Sequence, residues 1–475
     1  MEEKEKQALS ETYAANTAHF DSLFKIGSNF DMVKREIRIA GAAAAIYFVD
    51  GLIKDEAAER VISVVLEHSS DLAPEVLADG KLFAEYMISY TETSVVYTEE
   101  EITDSIYGGC LALFCESFAG AVIIKSRSFP ARGIEEPVTD KVLRGSRVGF
   151  VETLIKNTAL LRRYLHDSHL MMKKFTVGDE SRTTVILCYM DNRADPSLVN
   201  HVSKKLSEIQ TDALCLGIQS LSECLVKQRW YNPFPKFRYT ERPDAAAASA
   251  IEGSLLVFCD NSPQVMILPV SIFDFLQKTD DFYMSPFTGS YLRLIRLLTF
   301  VIAIFLTPLW YLFLKNPAWI PPWLELIKVP EEPVVPILMQ LIIIEIAIDG
   351  LKIASLTTPD TLANSFSVVG GLILGDFAIE IGWFVPQTIL YMSVVAICNF
   401  TQHSYELGYA FKYVRIMLLT LTAIFNIWGF AAGLIILLLM LITNKTVEEK
   451  RRYLYPLVPF NGPALLSLFV RRKKH

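Results

Sequence analysis

Between Leu294 and Ile442 the sequence is a series of apolar runs separated by prolines and polar residues, several near the roughly 20 residues a helix needs to cross a bilayer. Nothing else in the chain constrains its fold as strongly. Leu294–Leu314 is almost uninterrupted. Val334–Ala354 carries Gln340, Glu345 and Asp349, and the i, i+4 spacing puts the two carboxylates on one helical face. Phe366–Phe384 contains Gly370, Gly371, Gly375 and Gly382, small residues that let membrane helices approach closely, and carries Asp376 and Glu380 at the same spacing. Pro386 opens a fourth segment that runs to Phe400. Met417–Ile442 is too long for one untilted span, and its Trp428-Gly429 pair leaves two readings, a tilted helix or a helical hairpin.

A charge at the centre of a membrane helix costs roughly 2.5–3.5 kcal/mol on insertion scales, so carboxylates found there face protein or water. Two roles follow. Glu345 or Asp349 serves structure, protonated or paired to an amide on another helix, or a ring of acids lines an oligomeric pore, each copy supplying Asp376 or Glu380 to select cations. Basic residues at Arg293, Arg296, Lys412, Arg415, Lys450–Arg452 and Arg471–Lys474 place both ends of this part in the cytoplasm and favour an even number of spans.

The rest of the chain is of another kind. Residues 1–290 carry 30 Lys and Arg against 41 Asp and Glu, an acidic balance that argues against nucleic acid as a partner, while residues 291–475 carry 15 against 11. A mean hydropathy of +0.32 thus averages a soluble part and a membrane part. Met1–Lys6 is a charged run with no apolar core behind it, so no signal peptide is expected and the soluble part stays on the side of synthesis. Seven cysteines without CxxC spacing fit reduced thiols buried as small hydrophobes, and the scattered histidines disfavour a zinc site.

Within the soluble part, residues 1–30 form an arm. Residues 31–127 read as a first α/β subdomain, with strands at Glu36–Ala40 and Ala45–Val49, turn chemistry at Asp50-Gly51, a helix over Lys54–Glu67, and strands at Cys110–Cys115 and Ala121–Lys125. Residues 128–143 are a linker. Residues 144–288 read as a second α/β subdomain, with helices at Gly149–Arg163, Ser197–Ile209 and Asp244–Ile251 and strands at Thr183–Met190, Leu255–Asp260 and Gln264–Leu268. The helical membrane domain spans 289–455 and a basic tail 456–475. Gly109–Glu116 and Gly253–Asp260 align without gaps, four identities in eight, either from duplication or from convergence of strand-turn-strand units.

No enzyme motif is present: no P-loop, GxSxG or HExxH occurs, and the glycine-rich stretch lies in a membrane segment instead of after a strand. His166 and His169 flank Asp167 without a third ligand or a nucleophile, which fits a solvated helix end. Arg144, Arg147, Arg162 and Arg163 form a basic cluster in an acidic domain, either a charged helix face or an interface recognising carboxylates on a neighbouring subunit or at the other subdomain.

Gly145-Ser146-Arg147-Val148-Gly149-Phe150-Val151-Glu152-Thr153-Leu154, continuing through Asn157 to Leu160–Arg163, resembles the signature of the A subunits of GerA-type spore germinant receptors. Ala194-Asp195-Pro196, Tyr239–Asp244, Phe273-Asp274-Phe275, Val369-Gly370-Gly371-Leu372 and Tyr405-Glu406-Leu407-Gly408 match as well. Arg127–Pro130, Arg144–Arg147, Pro308-Leu309-Trp310 and Pro456–Phe460 are most similar to the SpoVAF branch, encoded with the SpoVA channel proteins. Ala363-Asn364 stands where receptor subunits usually have Gly-Gln, and Asp376 replaces their Gln or Glu. The resemblance implies two cytoplasmic α/β subdomains before an all-α polytopic membrane domain, residence in the inner spore membrane, and a ring, a pentamer, that conducts ions during germination. For the branch it implies amplification of ion release begun by germinant receptors, together with a small accessory membrane protein, and no cofactor. The candidate pore or ion-pathway residues are then Asp376, Glu380, Glu345, Asp349 and Asn364. The rival readings are a nutrient-sensing A subunit and, in another class, a monomeric solute transporter, whose inverted repeats are not seen here.

Overall fold

Met32–Ile39 (β1) and Ala42–Val49 (β2) pair antiparallel, Ile39 opposite Ala42 and Met32 opposite Val49. The two residues between them, Ala40 and Gly41, both have positive φ, 48° and 91°. That two-residue turn matches the twist of the strands, so the reversal lies there, and Asp50-Gly51 instead ends β2. This computed structural model describes residues 9–10, 12–69, 72–88, 92–126, 146–226, 229–276, 280–329, 333–357, 378–402, 404–447 and 453–469.

By its contacts the chain forms two units, Met1–Lys227 with Phe237–Pro269, and Gln228–Lys236 with Val270–His475. The first unit holds two five-stranded sheets. Thr93–Val96 (β3), Leu111–Cys115 (β4) and Ala121–Ile124 (β5) complete the first, in the order β1-β2-β4-β5-β3. The second consists of Leu170–Val177 (β6), Thr183–Met190 (β7), Arg238–Thr240 (β8), Leu255–Cys259 (β9) and Val265–Leu268 (β10), ordered β6-β7-β9-β10-β8. The two orders are the same, and the echoed octapeptides supply the same strand of each sheet, β4 and β9. A shared order of five strands exceeds what convergence of one strand-turn-strand unit accounts for, so the echo reads as duplication.

Helices cover both faces of the first sheet, which explains why β2 and β4 are apolar without alternation. Ala44, Ile46, Leu113 and Cys115 pack with Val61, Ile62 and Val65 of helix Asp55–His68, and Ala45, Tyr47, Ala112 and Phe114 pack with Phe20, Phe24, Ile102 and Tyr107. In the second sheet Ile186, Cys188, Leu256 and Phe258 pack with Phe150, Leu154 and Leu161 of the signature stretch. The seven cysteines are free thiols, five buried and two, Cys215 and Cys224, exposed.

A buried ion pair joins the subdomains. Arg162 is fully buried, and its Nε and Nη2 donate to the two carboxylate oxygens of Asp31 at 2.8 and 3.0 Å. It also donates to the Asp167 and Leu170 carbonyls, at 3.0 and 3.1 Å, and lies 5.1 Å from the Tyr107 ring centroid. Burial opposes the charge on Arg162, and Asp31 outweighs it, leaving the guanidinium above its ordinary pKa. Burial likewise pushes the neighbouring Cys188 thiol well up. Beside the pair, the Phe30 N–H donates to the Met172 carbonyl at 2.7 Å and the Asn29 side chain accepts from the Met172 N–H at 2.8 Å.

The second unit begins at Val270, earlier than the expected boundary at 288, because Val270, Phe275 and Leu276 pack with Phe300, Leu407 and Phe411. Its helices are Pro286–Lys315, Ile337–Thr357, Pro386–Phe400 and Tyr405–Thr443. Pro286–Lys315 is long and apolar enough to cross a membrane, and so is the 39-residue stretch Tyr405–Thr443 taken end to end. Pro286 and Ser285 start the first one well before Leu294, with the Ser285 hydroxyl accepting from the Thr288 N–H at 3.3 Å.

Tyr405–Thr443 is a hairpin. Asn426 has φ 57° and ψ −132°, which no helix accommodates. A Cβ at Gly433 would lie 2.6 Å from Leu418 Cδ2, and one at Gly429 would overlap the Leu421 carbonyl. Residues so far apart in sequence meet only if the chain folds back, which resolves the two readings in favour of the hairpin. Asn316 and Asn426 exchange amide hydrogen bonds of 2.7 and 3.0 Å, and Lys315 donates to the Thr422 and Ala423 carbonyls at the end of the first arm.

Replacing Arg162 by Met should destabilise the soluble part by about 3–5 kcal/mol, because Asp31 is left buried and unmatched; denaturant unfolding measures it, and a loss below ~1 kcal/mol would show the pair to be dispensable. Gly429→Ala should cost about 1–3 kcal/mol by overpacking the hairpin, read as a lower midpoint of thermal unfolding in detergent.

Candidate functional site

The acids of Val334–Ala354 face cations. Glu345 and Asp349 lie on helix Ile337–Thr357, and Lys412 and Arg415 lie on the first arm of the hairpin. Arg415 Nη2 donates to Glu345 Oε1, and Lys412 Nζ donates to Asp349 Oδ2. The two elements run antiparallel here, so the later acid meets the earlier base. Three residues on from Asp349, Lys352 lies 4.6 and 4.7 Å from the ring centroids of Tyr405 and Tyr409. Residues 345, 349 and 352 share one face of their helix, and together they make a ladder of charge along the helix pair.

Burial sets what the ladder does. Arg415 is 1% exposed and Glu345 6%, so neither charge is solvated by water and each depends on the other. Arg415 Nη1 also donates to the Ala303 carbonyl, in the turn of helix Pro286–Lys315 just before Pro308, whose ring loosens the helix there. One guanidinium fork therefore binds three elements, which a lysine could not do with the same geometry. Gln340, fully buried, joins two more segments: its Nε2 donates to the Val335 carbonyl at 2.7 Å and its Oε1 accepts from the Val385 N–H at 3.0 Å.

Lys412 and Arg415 count as flanking charges in the sequence, yet both lie inside a helix and are buried. They do not mark a loop, and this correction removes them from the orientation argument. Arg293 and Arg296 do lie toward the start of their helix, where they pair with the fully buried Asp281, Arg293 Nε at 3.4 Å. A signal for the ladder was present in the sequence: acids at i, i+4 and bases at i, i+3, each pair inside an apolar run.

The remaining candidates are spread apart. Glu380 ends the short helix Ala378–Glu380 and is exposed, while Ala378 packs with the cluster of Trp310, Leu341 and Met392. Asp376 and Asn364 lie outside the described residues, as does Arg144. Arg162 is consumed inside its own chain and has no exposed surface to offer a second subunit, which corrects its place in the cluster; Arg147 and Arg163 are exposed. His169 is half exposed and its ring bonds to Asp167 at 2.8 Å, a solvated site after the helix Leu154–Tyr164. Among the described residues no three His, Cys, Asp or Glu side chains converge to hold a metal ion.

Comparison with known proteins matches residues 19–475 to the family model described as Bacillus/Clostridium GerA spore germination protein. The chain is 34% identical to Stage V sporulation protein AF of Bacillus subtilis, covering 99% of this chain and 94% of that protein. It is 25% identical to Spore germination protein A1 of the same organism, covering 92% and 89%. A solved structure, the N-terminal domain of the A subunit of the Bacillus megaterium spore germinant receptor GerK3, matches at a TM-score of 0.43 and 21% identity, covering 56% of this chain and 97% of that one.

The ladder makes a prediction that separates pairing from packing. Arg415→Met alone should destabilise the helical unit by about 3–5 kcal/mol, and adding Glu345→Leu should recover most of that loss. Thermal unfolding of the detergent-solubilised variants measures the coupling, and independent, additive effects would show that the two side chains do not act as a pair.

Proposed function

This chain belongs to the GerA family of spore germination proteins, and on that premise we propose that it is a subunit of an ion channel in the inner spore membrane. Identical chains, five in number, form the ring; its N-terminal domains and basic tail face the cytoplasm. The channel releases monovalent cations during germination and so amplifies the signal of the germinant receptors, with a small accessory membrane protein and the receptor complexes as partners. Its similarity to Stage V sporulation protein AF supports this branch of the family over a nutrient-sensing subunit.

The observation that carries the reading is the neutralisation of Glu345 and Asp349 within the chain. Acids matched by Arg415 and Lys412 have little charge left to attract a passing cation. An acidic ring needs carboxylates that water can reach, and Glu380 is exposed. Asp376 stands four residues before it in the sequence, in a stretch rich in glycines. We therefore assign the acids of the pathway to Asp376 and Glu380, with Asn364 as a further polar group, and give Glu345 and Asp349 the task of holding helices.

Replacing Asp376 by Asn and Glu380 by Gln removes charge and keeps shape. Potassium flux into liposomes, compared with the unmodified protein at equal oligomer content, should fall or lose its preference for cations. Equal flux with equal selectivity would take both residues out of the pathway, and a monomeric mass for the solubilised protein would overturn the ring.

A further inference from the structure

Trp230 is 97% exposed, the most exposed of the large apolar side chains in the described residues. It lies in Arg229–Lys236, between the helix Ile218–Leu225 and β8, and these residues belong by their contacts to the helical unit although the chain on both sides belongs to the soluble one. Two contacts fix the segment. Asn232 Nδ2 donates to the Met440 carbonyl at 3.0 Å, while Phe234 is buried with its ring centroid 6.4 Å from that of Tyr453.

The level of that attachment is informative. Met440 is in the last turn of the second hairpin arm, which ends at Thr443 and is followed by Asn444 and Lys445. The segment is therefore held where an apolar membrane helix gives way to polar chain, the depth at which headgroups begin. There it presents an indole and, beside it, the Tyr231 ring, 6.0 Å away between centroids. A cation flanks them: Arg229 donates to the Tyr231 hydroxyl at 2.8 Å. A guanidinium next to exposed aromatic rings at a helix end matches the phosphate and carbonyl layer of an anionic membrane surface.

We infer that residues 229–236 are a lipid-surface anchor, with Trp230 seated in the headgroup layer and Arg229 facing anionic phospholipid phosphates. The inference rests on the proposed membrane embedding of the helices and adds to it a contact made from within the sequence of the second α/β subdomain. A second copy of the chain is the alternative occupant, but an indole bordered by a guanidinium would need an acidic, apolar face opposite, whereas an anionic bilayer supplies both at this depth.

The test uses the full chain in phosphatidylglycerol vesicles carrying bromine near the top or near the end of the acyl chain, comparing the intact protein with Trp230→Phe. The difference between them reports Trp230 alone. Shallow bromines should quench that component and deep ones should leave it, and quenching should weaken in phosphatidylcholine vesicles or on Arg229→Glu. A Trp230 component that no bromolipid reaches, and that changes with protein-to-lipid ratio, would overturn the anchor in favour of contact between copies. Resistance of the protein to alkaline extraction from the same vesicles reports the helices separately. If alkali removes the protein, the membrane embedding has failed and the anchor with it; if the protein stays embedded while no bromolipid quenches Trp230, only the anchor is overturned.

Discussion

A charge removed from water must be met by another charge, and among the buried arginines Arg162 and Arg415 carry that constraint furthest. Arg162 meets Asp31 with both arms of its fork and places its other donors on two carbonyls, so the start of β1 and the helix Leu154–Tyr164 are held in one arrangement. Arg415 meets Glu345 and the Ala303 carbonyl, which draws three helical elements to one point. Neither pair adds much net stability over an apolar substitute, but each makes any other arrangement of its neighbours costly. Specific arrangement is what these charges supply.

The same physics divides what could be read in the sequence from what could not. Strands buried on both faces, such as Ala42–Val49 and Leu255–Cys259, announce themselves as apolar runs, and the helix Asp55–His68 announces itself by its period. Leu170–Val177 does not, because it is an edge strand and carries Lys173 and Lys174, whose stems lie over Tyr189 and Phe30 with their ammonium groups 5.5 and 5.3 Å from the ring centroids. Arg162 looks like its neighbour Arg163 in any composition, yet one is buried and the other exposed, since the partner that decides the matter, Asp31, is 131 residues away. Lys412 and Arg415 were legible as charges and illegible as partners for the same reason: pairing across helices is a tertiary fact. The acidic pair at 345 and 349 was visible from spacing alone, and only the opposing bases gave it a meaning.

Duplication in the soluble part shows how a shared scaffold acquires different tasks. Both sheets have one strand order, but the connection before the last strand differs. In the first sheet it contributes the helix Gly80–Met87, and in the second it contains Arg229–Lys236, which leaves the unit altogether. The core strands β4 and β9 keep their apolar character while the connection is free to change, as expected where core strands fix the fold and loops carry the variation.

The spacing of the ladder has a mechanical consequence. With a rise of about 1.5 Å per residue, acids four apart are offset by ~6 Å along their helix and bases three apart by ~4.5 Å along theirs. Two scales with unequal divisions coincide at one setting only, as on a vernier. Sliding the helix Ile337–Thr357 along the first hairpin arm by a residue in either direction would misalign at least one rung, and misaligning the buried Glu345–Arg415 rung strands both charges. These two elements therefore have no gradual path of relative sliding, and any motion in the helical unit must carry them together as a single rod.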